Sequence, residues 1–188
     1  MIDRSAGRVT RRAAAPLLAL VGALTLAAAG CGGGSSSDAK ANEAYANSVC
    51  TAVSGWEQQI KTIATTFTGK PSKATLDAKV TQAEAATKTL ASDIKAIPLP
   101  DTSEAQAAKQ QLDQLSTDAT ATVDAAKSAV AQIKADPSAG DISLAVVALA
   151  PQVKNLVSEA KSAITSLKNA KSSISKAFRN ADSCKSLG

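Results

Sequence analysis

The chain has 188 residues and no histidine; 45% of it is hydrophobic but only 2% aromatic, enough for one modest domain. The missing histidine excludes Ser-His-Asp and Cys-His nucleophile systems and the usual His-based zinc and di-iron sites. Of the formal charge of +5, Arg4, Arg8, Arg11 and Arg12 against Asp3 supply +3, all within a distinct N-terminal segment, and the remaining +2 is far from the charge of a nucleic-acid binder.

That segment has a basic region ending at Arg12 and an apolar run from Ala13 to Ala29 that holds Leu17, Leu18, Leu20, Val21, Leu24 and Leu26. The small residues Ala27 to Gly30 and then Cys31 follow. This is the layout of a secretory signal and is set aside from fold reasoning. About 17 apolar residues would also suffice for a membrane span, so an uncleaved anchor and a plain secretory signal are the alternatives. Arg11-Arg12 is reminiscent of a twin-arginine signal, but Ala13-Ala14-Ala15 stands where Phe-Leu usually follows, which favours a plain basic region.

Ala28-Ala29-Gly30-Cys31 resembles the lipobox of bacterial lipoproteins, with Ala28 in the place usually held by Leu. The resemblance implies cleavage after residue 30, fatty acylation of Cys31, and a protein anchored at the cell membrane on its extracytoplasmic face. Two acyl chains hold a protein stably where one does not. Gly32-Gly33-Gly34-Ser35-Ser36-Ser37 then reads as a tether over 31–37, reaching only ~15 Å at Gly/Ser stiffness. The folded domain is expected over 38–188.

Lipid on Cys31 would also resolve the odd cysteine count. Cys50 and Cys184 remain, and in an oxidising compartment they are expected to form a disulfide, the alternative being two buried thiols. Two thiols without histidine make an incomplete metal set, so no metal and no cofactor are expected.

The domain reads as four helices. Tyr45, Val49, Ala52, Trp56, Ile60, Ile63 and Phe67 recur at steps of three and four over 38–68, and Gly69-Lys70-Pro71 ends that run. Leu76, Val80, Ala83, Leu90, Ile94 and Ile97 mark a second stripe, with Thr87 a polar interruption and Pro98 and Pro100 a stop. A third helix starts at Thr102 or Ser103 and carries Ala105, Ala108, Leu112, Leu115, Ala119, Val123, Ala126, Val130 and Ile133. A fourth, from about Asp141 to Ala181, carries Ile142, Val146, Leu149, Val153, Leu156, Ala160, Ile164, Leu167, Ile174 and Phe178, and Pro151 is expected to kink or break it.

No segment alternates as a strand does. The expected fold is all-α, an up-down-up-down four-helix bundle with its last helix kinked or broken near Pro151 and closed by the disulfide. Cys50 lies well inside the first helix. Either the tail after Phe178 folds back to reach it, or the start of that helix protrudes.

Lys154, Lys161 and Lys168 share one heptad position, and with Lys171 they suggest contact with an anionic surface such as lipid headgroups or a wall polymer, against the simpler reading of a solvated face. Trp56, Tyr45 and Phe67 could line a ligand slot but more simply pack the core. Gly55 could admit a close neighbour. Glu43, Glu57, Glu84, Glu104 and Glu159 show no paired-carboxylate spacing, so no catalytic residue is assigned and no enzyme is expected.

Val49-Cys50-Thr51-Ala52-Val53 with Trp56, together with Ala177-Phe178 and Ser183-Cys184, resembles the small alanine-rich helical lipoproteins and secreted proteins of actinobacteria. The resemblance supplies location and architecture but no activity. The expected function is a membrane-anchored, non-enzymatic interaction or scaffold module whose partner is an envelope protein or an anionic polymer. The alternative is a binding protein holding a small apolar ligand or lipid between its helices.

Overall fold

A computed structural model describes residues 34–65 and 71–187. Every regular element among them is helical: α1 (Gly34–Thr65), α2 (Lys73–Ala96), α3 (Ser103–Ala131), α4 (Ala139–Asn169), α5 (Ser173–Asn180) and a closing 3-10 helix (Asp182–Leu187). The segment expected to be a signal, Cys31 and Phe67 lie outside the described residues.

Serine and threonine start four of these helices by taking up backbone N–H groups that the first turn leaves unpaired. Ser72 accepts from Thr75, Thr102 from Ala105 and Ser172 from Ser175. Ser138 and Asp141 cap each other at the start of α4.

α1 opens at Gly34, four residues before the expected start, so Gly34–Ser37 belong to a helix and not to a flexible leash. Once a helix is held by packing, each further residue adds a backbone bond at little cost, and a short Ser run is carried along.

Helix α1 packs on α2, α2 on α3, α3 on α4, and α4 again on α1. The stripes read from the sequence face inward: Trp56, Ile60, Leu76, Leu90, Leu112, Leu149 and Ile164 are all fully buried. Much of the seam between them is alanine, with Ala46, Ala105, Ala108, Ala119 and Ala160 wholly enclosed.

The break expected at Pro151 does not occur there. α4 runs through Pro151 without interruption. Pro151 lies on the solvent side, as does Val147, whose carbonyl the missing N–H would have paired with, so water can take up the freed group. The chain instead breaks at 170–172, where Ser172 caps the next helix. Arg179 of α5 reaches back to the carbonyl oxygen of Lys168 at 2.5 Å, satisfying one of the acceptors left at the end of α4.

This break lets the C-terminal segment fold back along α1, which both α5 and the 3-10 helix touch. Cys184 then meets Cys50 in a disulfide with Cα atoms 5.0 Å apart. Of the two ways to reach a cysteine deep in the first helix, the returning tail is the one used. Tyr45 and Phe178 pack edge to face across the same junction, ring centres 6.2 Å apart.

Candidate functional site

The tail junction is built around the disulfide. Both cysteines are fully buried. The Ser183 hydroxyl lies 3.0 Å from both the carbonyl and the side-chain oxygen of Asn47, and Lys168 donates to the Cys184 carbonyl at 2.7 Å. Leu187 closes the junction from outside as a fully buried side chain. Every polar contact here ties one part of the chain to another, so the junction acts as a clasp.

The four lysines named from the sequence do not share one environment. Lys154 and Lys171 are exposed. Lys161 is half-buried and turns toward Glu57 of α1, 3.5 Å away. Lys168 is half-buried against the tail. The spacing of seven places three of them at one helical position, but the flank they share faces α1 and the tail over its second half.

Glu57 is the carboxylate that sequence reasoning passed over. It is only 4% exposed, beside Trp56, and pairs with Lys61 at 2.5 Å as well as with Lys161. Its spacing was the available signal: it falls four residues after Val53 and three before Ile60, on the apolar face. Glu84 is half-buried and joins α2 to α3 through Lys127 at 2.8 Å, with Lys88 at 2.7 Å. Those two hydrogen bonds, Lys127 first, lower its pKa to about 2. Glu159 lies apart from Glu43 and Glu104, which border one hollow, and among the described residues no group of three metal-binding side chains occurs.

Trp56 and Tyr45 belong to the core. The Trp56 indole N–H donates to Thr87 Oγ1 at 3.2 Å, and burial, aided by the charge of Asp113, pushes the Tyr45 phenol up to about 12. Gly55 is exposed, and a β-carbon there would meet nothing within 4 Å, so no neighbour uses the space.

Between the helices, a space lined by Ile60, Val80, Val123, Leu149 and Leu156 amounts to about 30 Å³. That is water-sized, whereas ligand pockets occupy roughly 300–1,000 Å³. Larger hollows lie on the outside. One of about 600 Å³ sits between the starts of α1, α3 and α5, with Asp38, Glu43, Glu104 and Lys176 around it. Another, about 710 Å³, runs beside the first turns of α4 and is lined by Pro71, Ala74, Pro137, Ile142, Val146 and Val147.

Next to this second groove α4 carries a further apolar stripe. Val147 and Ala148 lie three and four residues after Leu144, and four and three before Pro151, so the four share the face opposite Ile142, Leu149 and Leu156. Leu144 is 72% exposed and Val147 70%. A helix of a soluble domain ordinarily buries its one apolar stripe and presents polar residues on the other face; the first half of α4 is apolar on both. No helix of the described residues is long and apolar enough to cross a membrane. Comparison of the chain with protein families, curated proteins and solved structures finds no match.

Proposed function

We propose that this chain is a lipid-anchored, extracytoplasmic interaction module that works without catalysis. The observation that carries the interaction reading is the uncovered apolar stripe of α4 beside an apolar groove, on a domain whose interior is otherwise closed. Exposed apolar surface of this kind costs solubility unless something covers it, and it is a common mark of a protein contact. The water-sized space between the helices gives the alternative, a ligand held inside the bundle, little room.

On this reading the four long helices run alternately up and down. The helix ends support that order: the starts of α2 and α4, at Ser72 and Ile142, border one groove, and the starts of α1 and α3, at Asp38 and Glu104, border another. The lipobox-like Ala28-Ala29-Gly30-Cys31 supplies the anchor, and a buried disulfide suits an oxidising compartment outside the cytoplasm.

Two experiments test it. Cys31→Ala should move the protein from the membrane fraction to the medium or to a soluble fraction; unchanged membrane retention would remove the lipid anchor from the account. Crosslinking on intact cells should capture a macromolecular partner through the α4 face. Capture that Leu144→Glu and Val147→Glu leave unchanged would show that the contact, if any, lies elsewhere.

A further inference from the structure

The outer stripe of α4 has an internal symmetry in its sequence. Its midpoint falls between Val147 and Ala148. Leu144 and Pro151 lie equally far from that point on either side, and so do Asp141 and Lys154. Asp141 and Lys154 are both exposed, and Asp141 is fixed at the helix start by Ser138, whose backbone N–H and hydroxyl both donate to it. Such a stripe matches itself when turned end for end, which is the requirement for a two-fold contact, where each residue i meets a residue j of the other copy and the reverse.

We infer that the partner of this face is a second copy of the same chain, with the two α4 helices packed antiparallel about the Val147–Ala148 midpoint. In that register Leu144 of each copy lies level with Pro151 of the other, and Asp141 level with Lys154. A parallel pairing would set Asp141 level with Asp141 and Lys154 with Lys154, so the charges select the antiparallel arrangement. The small side chain of Ala148 at the midpoint permits a close approach of the two backbones. The groove along Ser143, Val146 and Val147 extends the apolar surface beyond the stripe itself.

One helix face is small beside the ~800 Å² per partner of a standard stable interface. The pairing is therefore weak in dilute solution and grows with the concentration of the chain. The inference rests on the interaction reading above and names its partner.

A cysteine at the midpoint tests it in the full-length chain. Ala148→Cys should give a disulfide-linked homodimer on a non-reducing gel under mild oxidation. Thr117→Cys, on an exposed position of α3, should give no more than the wild-type background, which accounts for Cys31. Adding Leu144→Glu to Ala148→Cys should cut the homodimer by about tenfold or more. Circular dichroism on each variant shows that the helices are retained. A homodimer formed equally by Thr117→Cys, or none from Ala148→Cys in a folded protein, overturns the self-pairing. An adduct of Ala148→Cys with a different protein also overturns it, while leaving the interaction module itself standing.

Discussion

The indole Nε1 of Trp56 donates to Oγ1 of Thr87 across 3.2 Å in the middle of the core, where both residues are buried. The contact explains a polar residue in an otherwise apolar stripe of α2. Burying a tryptophan gains a large apolar area but brings an N–H donor with it, and that donor needs a partner away from water. Thr87→Val keeps the shape and removes the acceptor. It should cost about 1–3 kcal/mol, the penalty for leaving a buried donor unpaired. Trp56→Phe in the same background should lose less than it does alone, since no acceptor is then stranded. Urea unfolding followed by circular dichroism measures both; additive losses would mean that the bond contributes nothing specific.

The disulfide sits beneath this layer and is predicted to be slow to reduce. Both sulfurs are enclosed and 134 residues separate them. A thiol must reach a sulfur to exchange with it, so reduction should wait for opening of the tail. Thiol trapping with mass spectrometry should show little reduction in buffer and rapid reduction in urea. Cys50→Ser with Cys184→Ser should lower stability by up to about 4–5 kcal/mol from the entropy returned to the unfolded chain, strain subtracting from that figure. Fast reduction of the native protein would place the sulfurs nearer to solvent than they are.

Acid and alkali should act on opposite ends of one scale. Glu84 has its pKa lowered to about 2 by the Lys127 and Lys88 hydrogen bonds. The unfolded chain therefore takes up a proton at this position before the folded one does. The stabilisation is present above the ordinary glutamate range, where the carboxylate is charged in both states, and fades as pH falls from about 4.5 toward 2. Glu84→Gln should flatten the thermal-melting profile over that window by lowering the melting temperature at neutral pH, where the charge acts, and should change little near pH 2, where the carboxylate is already taking up its proton.

Tyr45 works in the other direction. Its pKa is raised to about 12, first by burial and then by Asp113. The folded state holds the phenolic proton more tightly, so the contribution is complete below about 10 and is lost as pH rises through 12. It is the sole tyrosine. The tyrosinate absorbance of the native protein therefore reports this one group, and a midpoint near 10 before unfolding would mean that Tyr45 is not enclosed.

The helices and their inward faces were legible because each long segment repeats apolar residues at a helical period, from Tyr45 to Ile63 or from Leu112 to Val130. What escaped was information that periodicity does not carry. Pro151 reads as a break in any helix, yet its cost depends on whether water can reach the carbonyl of Val147. The turn at 170–172 lies within a stripe that keeps its spacing from Leu167 to Ile174 to Phe178, so the pattern alone runs straight through it. Glu57 falls in register with the core, and of its two partners Lys61 is one turn along while Lys161 comes from a helix about a hundred residues away. Leu144 and Val147 form a second apolar face on α4, and a helical period assigns each helix only one.

Gly55 is the place where the sequence and its surroundings disagree most simply. Glycine inside a helix costs backbone entropy, and it is usually retained where a neighbour needs the room or the chain needs an unusual conformation. At Gly55 neither applies: the position is exposed in the interior of α1, and a β-carbon would meet nothing within 4 Å. Gly55→Ala should accordingly raise stability by about 0.8–1 kcal/mol, the helix-propensity difference between the two residues. The gain should add independently to the loss from the Cys50→Ser and Cys184→Ser pair, because the two changes share no contact partner. A destabilised Gly55→Ala protein would show that something occupies this face of α1, and since the face is open in the isolated chain, that occupant would have to be another molecule.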